Sequence, residues 1–363
     1  MADFFEIDFF DVETEKSGDA IAMRYEVAGQ TYVHLVDGGY QATGPSIVAN
    51  INRYYGTNRI DHLVVTHCDR DHTGGLPHVL ENMQIGVLWM LRPWEYAQEL
   101  LPRFANYNDA SRLRSRLRGI YSKLTELETI AIRKGIPILN PFQGAQIGAF
   151  TVLAPTRERY LDLIVASEKT PESVEKAEET AMDRMHWAFA EMAKKVANLV
   201  AGAWNFEYFP AEGTSCENEM SVIQAAILSQ QKIVLTGDAG RGALEEAADY
   251  APVVGFDLPG VDRIQIPHHG SRRNVTTELL DRWLGTRLFA QPAAGHESFT
   301  AIVSSAKADT DHPRNSVVRA FMHRGARVFR TESQHVCSYG GAAPARDNWI
   351  AMPAADYPMT LEQ

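Results

Sequence analysis

The chain has 363 residues, of which 45% are hydrophobic and 22% charged, the balance of a folded domain with a sizeable core. A formal net charge of −11 argues against a surface coated for nonspecific duplex binding, while leaving room for a local basic strip. No apolar run reaches the length of a membrane span, and Met1-Ala2-Asp3-Phe4-Phe5-Glu6 lacks a signal peptide's cationic region. Cys68, Cys216 and Cys337 are too scattered for a disulfide framework, so a cytoplasmic protein with free thiols and no membrane contact is expected.

Residues 4–12 and 19–37 read as strands, apolar and β-branched, closed by Asp37-Gly38-Gly39. A helix is expected over 45–55, opened by Pro45 and stopped by Gly56. Strand 62–66 runs into His67-Cys68-Asp69-Arg70-Asp71-His72, helix 75–82 leaves it, and Ile85–Leu91 is a further strand. Residues 94–134 read as helix, 150–154 as strand and 157–200 as a second long helical stretch. Strands resume at Ser221–Leu228, Lys232–Thr236, Arg263–Ile266, Arg287–Ala290 and Ile302–Ser304. Helices near 241–249, 276–284 and 315–324 lie between them, and residues 332–363 read as an irregular tail.

The chemistry concentrates at the ends of these strands. His67, Asp69, Asp71 and His72 place four metal-capable side chains on one turn after an apolar strand. Two histidines and two aspartates so placed can converge on two cations, and a pair of metals suits hydrolysis. Asp238, in Thr236-Gly237-Asp238-Ala239-Gly240, follows another apolar strand; a bridging ligand and a helix N-cap are both open to it. His268 and His269 follow a third, and either can coordinate while the other supports it. Asp311-His312-Pro313 offers a histidine able to donate a proton to a leaving group or bind an anion; an ordinary surface histidine is the alternative.

Taken together, Asp37-Gly38-Gly39, His67-x-Asp69-x-Asp71-His72-x-Gly74-Gly75, Thr236-Gly237-Asp238-Ala239-Gly240, Pro267-His268-His269-Gly270-Ser271 and His312-Pro313 resemble the metallo-β-lactamase fold in order and spacing. The likeness is nearest to the hydrolase domain of ComEC-type DNA-uptake proteins, and covers roughly residues 4–91 and 215–331. It implies an α/β protein, an αββα sandwich over residues 1–331 with two long helical insertions, 94–134 and 157–200, and a dinuclear site at one edge. Three positions depart from the wider pattern. Asp69 stands where most members have histidine, as in the ComEC-type variant; Asn218-Glu219-Met220-Ser221 replaces a histidine segment before the Thr-Gly-Asp strand; Arg314-Asn315 replaces a second His-Pro pair.

The resemblance implies two divalent cations, Zn or Mn. Asp71, His72, Asp238 and one of His268/His269 would hold the tighter one, and His67, Asp69 and Asp238 the weaker. Asp71, His312 and Arg314 are the catalytic candidates, the last two steadying charge on the departing oxygen. Arg112, Arg114, Arg116 and Arg118 form neighbouring rows on a helix and, with Ser271, are candidates for binding substrate, the strip tracking a nucleic-acid backbone. A solvated face, or one paired with the acidic stretch holding Glu172, Glu175, Glu178 and Glu179, is the competing account of that strip. The expected function is metal-dependent hydrolysis, of phosphodiesters or nucleic acid first. Hydrolysis of a small ester, lactone or thioester is the alternative, as is a component docked to a protein partner or to a second copy through the insertions.

Overall fold

The computed structural model describes residues 3–170, 204–347 and 350–360. Among the described residues, fourteen strands form two seven-stranded sheets. In chain order, β1 (Phe4–Phe9), β2 (Ile21–Val27), β3 (Gln30–Val36), β4 (Arg59–Val64), β5 (Gln84–Trp89) and β6 (Ile138–Leu139) belong to the first sheet. The second takes β7 (Gln146–Ile147), β8 (Phe150–Ala154), β9 (Ile223–Leu228), β10 (Gln231–Leu235), β11 (Arg263–Gln265), β12 (Phe299–Val303) and β13 (Ala326–Arg330). The last strand, β14 (Val336–Gly341), returns to the first sheet, whose order is β14-β1-β2-β3-β4-β5-β6; the second runs β13-β12-β11-β10-β9-β8-β7.

Side-chain alternation explains why the sheets stack. In β9 and β10, Ala226, Leu228, Ile233 and Leu235 join the core shared with Phe5, Ile7 and Met23 of the first sheet. Their neighbours Ile223, Ala225 and Val234 face the other way, into a second core with Leu244, Leu280 and Phe321 from the helices Arg241–Tyr250, Thr277–Leu284 and Asn315–His323. On the first sheet's outer side, Ile47, Leu76, Leu80, Leu113 and Leu127 bring in the helices Thr43–Asn50, Leu76–Asn82, Ala110–Ile120 and Ser122–Lys134. The result is helix, sheet, sheet, helix: the αββα sandwich of the metallo-β-lactamase fold.

Several sequence expectations need correcting. No strand forms over Arg287–Ala290; Phe289 is fully exposed, and the Leu288 carbonyl accepts from Trp204 Nε1 and Asn205 Nδ2 instead of a ladder neighbour. The 94–134 stretch is broken, because Pro102 ends one short helical turn, residues 104–109 are irregular, and Asp109 caps a new helix through Ser111 N. The tail expected to be irregular contains β14, which pairs antiparallel with β1 and forms the outer strand of the first sheet. The second long helix is found over Arg157–Ala166, and the part of that expectation past residue 170 lies outside the described residues.

Candidate metal centre

The topology brings remote segments to one rim. Strands β3 and β4 run parallel, as do β10, β11 and β12, and the chemistry-bearing turns follow their carboxyl ends. Asp37 follows β3, the His67–His72 turn follows β4, Asp238 follows β10, and His268-His269 follows β11. Asp19 arrives differently. Because β2 is antiparallel to β3, with Ile21 opposite Val36, the residue just before β2 lies beside the end of β3. Backbone bonds lock it there, Asp19 N to Asp71 O at 3.0 Å and Gly39 N to Asp19 O at 2.7 Å. Gly75 is required by this packing, since a Cβ there would stand 2.2 Å from the Gly38 carbonyl oxygen.

Asp238 is the centre of the cluster. Its Oδ1 lies 3.2 Å from His72 Nε2 and 3.8 Å from His269 Nε2, while its Oδ2 lies 3.5 Å from His268 Nε2 and 3.8 Å from His67 Nε2. Asp71 Oδ2 adds to the first group at 3.4 Å from His269 Nε2, and Asp69 Oδ2 to the second at 3.7 Å from His67 Nε2. Asp19, His72, Asp238 and His269, all buried, each present a ligand atom within 4.8 Å of the others.

The ring tautomers are set by neighbours. His269 Nδ1 is 3.0 Å from the Ser304 carbonyl oxygen, which only accepts, so the proton sits on Nδ1. His72 Nδ1 likewise meets Asp37 Oδ2 at 2.7 Å. His268 Nδ1 lies 2.9 Å from Asn274 Oδ1, an atom assigned as oxygen because Asn274 Nδ2 donates to the Asp238 and Ala239 carbonyls. His67 Nδ1 lies 3.0 Å from Thr66 Oγ1 and 3.3 Å from Ser221 Oγ. Each ring turns its Nε2 toward a carboxylate oxygen of Asp238. Among the described residues, His67 Nε2, His72 Nε2, His269 Nε2, Asp238 Oδ1 and both Asp19 oxygens are buried without a hydrogen bond. Ring nitrogens and carboxylate oxygens buried together without hydrogen-bond partners are costly unless a cation sits among them, so the residues present fit a divalent ion.

Without a metal ion, protons on the rings supply the positive charge that these carboxylates attract. Burial alone would raise the Asp238 carboxyl, but His72, His268 and His269 pull it well below the ordinary range. Burial opposes charge on His269, yet Asp238 and Asp19 raise it to about 9. Asp19 is raised, because burial outweighs the pull of His269 and His72. His67 is lowered by burial and by His72, which keeps its ring neutral. Backbone strain gathers here too. Asp37, His268 and His269 adopt φ of 58°, 47° and 52°, in the left-handed region, at about 1–3 kcal/mol each.

The other candidates are placed as follows. His312 reaches the cluster, its ring centroid 5.5 Å from His268 and its Nδ1 3.4 Å from Asp309 Oδ2. Arg314 pairs with Asp311 at 3.1 Å, and Ser271 is buried with its Oγ accepting from Arg273 N. Arg112, Arg114 and Arg116 are exposed on the helix Ala110–Ile120, whereas Arg118 is bonded to Glu128 and lies over Trp94. Sequence reasoning missed Asp19, whose signal was an acid between Gly18 and an apolar strand. It also missed Asn274 and Lys169, which touch His268 and Asp69.

Residues 22–141 match the family model of the metallo-beta-lactamase superfamily. No curated protein matches. Among solved structures, a diphosphatase from the PhnP family is 9% identical with a TM-score of 0.39, over 95% of this chain and 100% of that one. The metallo-beta-lactamase fold protein YhfI from Bacillus subtilis is also 9% identical with a TM-score of 0.39, over 93% and 100%. The hydrolase AbOPH of the beta lactamase superfamily is 10% identical with a TM-score of 0.29, over 61% of this chain, which spans 56% of its length. The chain thus carries a metallo-beta-lactamase superfamily segment, within a sandwich of that fold, with a buried His/Asp cluster able to hold a metal.

Proposed function

We propose that the chain is a metal-dependent hydrolase that uses two divalent cations, zinc or manganese, to cleave phosphodiesters, with nucleic acid as the polymeric substrate. The observation that carries this reading is the division of Asp238, one oxygen toward His72 and His269 and the other toward His67 and His268. Asp19, Asp71, His72 and His269 with Asp238 Oδ1 would hold one cation; His67, Asp69 and His268 with Asp238 Oδ2 would hold the other. Bound cations supply a water of lowered pKa and polarise the scissile group.

The protein's own residues do the rest. Asp37, Ser304 and Asn274 fix the imidazoles so that no reorganisation accompanies ligation. With Nδ1–H donating to Asp309 Oδ2, His312 presents Nε2 as an acceptor able to hold and orient a water or a substrate hydroxyl. Burial, His269 and His268 lower it to about 4, so it is neutral at physiological pH. Exposed Arg112, Arg114 and Arg116 would guide a phosphate backbone. The mixed imidazole and carboxylate donors favour Zn²⁺ or Mn²⁺ over an all-oxygen magnesium site.

The test is a panel of single-stranded DNA, duplex DNA, RNA, a cyclic nucleotide, a chromogenic phosphodiester, a lactone and a thioester, with protein reloaded with Mn²⁺ or Zn²⁺. Phosphodiester turnover abolished by Asp238→Ala is expected. Turnover confined to the lactone or thioester would refute the reading.

A further inference from the structure

Lys169 lies outside every motif, yet its ammonium is 2.7 Å from Asp69 Oδ1 and 3.5 Å from Cys68 Sγ. The contact is built rather than casual. The segment after the helix Arg157–Ala166 is folded under itself: Thr170 Oγ1 donates to the carbonyls of Ile164 and Ser167, and Ser167 Oγ donates to the buried Glu217. Lys169 N donates to Ser167 Oγ at 2.9 Å. Ser167 and Thr170 are fully buried, while the Lys169 side chain is 41% exposed and bridges to a carboxylate that is 34% exposed. Asp69 is thus shared, Oδ1 held by Lys169 and Oδ2 turned toward His67 Nε2.

Both groups of ligand atoms around Asp238 draw on two imidazoles and carboxylate oxygens, but only the group with Asp69 has an ammonium fixed on its carboxylate. We propose that Lys169 is a resident counter-cation of the second metal position, which competes with the incoming divalent ion for Asp69 and makes that position the weak, exchangeable one. The inference rests on the two-cation reading above. Its physical basis is charge: a fixed ammonium neutralises the only carboxylate special to that position and repels a dication a few ångströms away. The first position, built on Asp19, Asp71, His72 and His269, has no lysine or arginine on its carboxylates among the described residues. Occupancy of the second position then follows the free concentration of divalent ion, while the first stays filled.

The experiment is calorimetric titration of the full, metal-stripped chain with Mn²⁺, together with elemental analysis after desalting, on the parent, Lys169→Met, Lys169→Gln and Lys169→Arg. The parent should retain one ion through desalting and bind a second more weakly. Lys169→Met and Lys169→Gln should tighten the second event by roughly tenfold or more and leave the first within about twofold, while Lys169→Arg keeps the parent pattern. A second event unchanged or weakened in both neutral variants overturns the proposal. Equal tightening of both events also overturns it, since the effect would then be general charge. A parent that binds no Mn²⁺ overturns the two-cation reading itself, and a parent that binds two ions equally overturns only the role of Lys169.

Discussion

Asp37→Asn is the sharpest probe of the centre, because it alters one atom that touches no cation. The Asp37 carboxylate accepts three hydrogen bonds: Thr66 N at 2.9 Å on Oδ1, then Thr66 Oγ1 at 2.6 Å and His72 Nδ1 at 2.7 Å on Oδ2. Asparagine has one oxygen and one NH₂, so a donor must meet a donor. With Nδ2 toward Thr66, a fixed and buried backbone N–H is left facing another donor, at about 1–3 kcal/mol. With Nδ2 toward His72, the clash is relieved when the ring moves its proton to Nε2. The second is cheaper in the metal-free protein, and it holds a proton on the Nε2 that a cation needs. Affinity for the first cation should therefore fall by about 10–100-fold, or ~1.4–2.7 kcal/mol, while the metal-free melting temperature changes little. Competition against a chelator of known affinity, paired with thermal unfolding of the stripped protein, reads both quantities. A folded variant that binds its first cation within threefold of the parent would refute the claim that Asp37 sets the His72 tautomer.

Other outcomes follow from the same geometry. Asp19→Asn removes a buried carboxylate with no hydrogen bond, so it should stabilise the stripped protein by about 1 kcal/mol while weakening the first cation; denaturant unfolding and calorimetry separate the two. Glu207 is buried under opposing influences, desolvation raising it and the bonds from His323 and Arg324 lowering it from 4.5 to about 2. Its stabilisation is complete above its unfolded value and lost as pH falls through the folded one. Glu207→Gln should thus cost about 2–3 kcal/mol at pH 7 and flatten the acid limb of the stability curve. Replacing Arg112, Arg114 and Arg116 together by Gln should weaken polymer binding and reduce its salt dependence without changing cleavage of a small phosphodiester. Arg118→Ala should instead lower stability by about 2 kcal/mol, seen as a drop in melting temperature, because it strips a partner from buried Glu128.

What was legible in the sequence was local. His67, Asp69, Asp71 and His72 are neighbours on one turn, and Asp238 and His268-His269 each end an apolar strand, so their chemistry shows without a fold. Asp19 is legible only through β2 and β3 pairing, which brings the start of one strand to the end of the next. Lys169 reaches Asp69 across a hundred residues by way of a folded-under loop that no periodicity announces. The Arg287–Ala290 error has the same origin: composition suits a strand, but the backbone groups there were spent on Trp204 and Asn205. Sequence alone could not choose between His268 and His269, and the geometry gives each a different oxygen of Asp238.

The donors around Asp238 come from both halves of the sandwich: Asp19, His67, Asp71 and His72 from the rim of the first sheet, Asp238, His268 and His269 from the rim of the second. A cation held there is a clasp across the open edge of the molecule, and its binding energy adds directly to the free energy holding the two sheets together. Substitutions that loosen the inter-sheet core should then be tolerated while metal is plentiful and exposed when it is scarce. Divalent-ion supply would set how much sequence drift this fold can absorb.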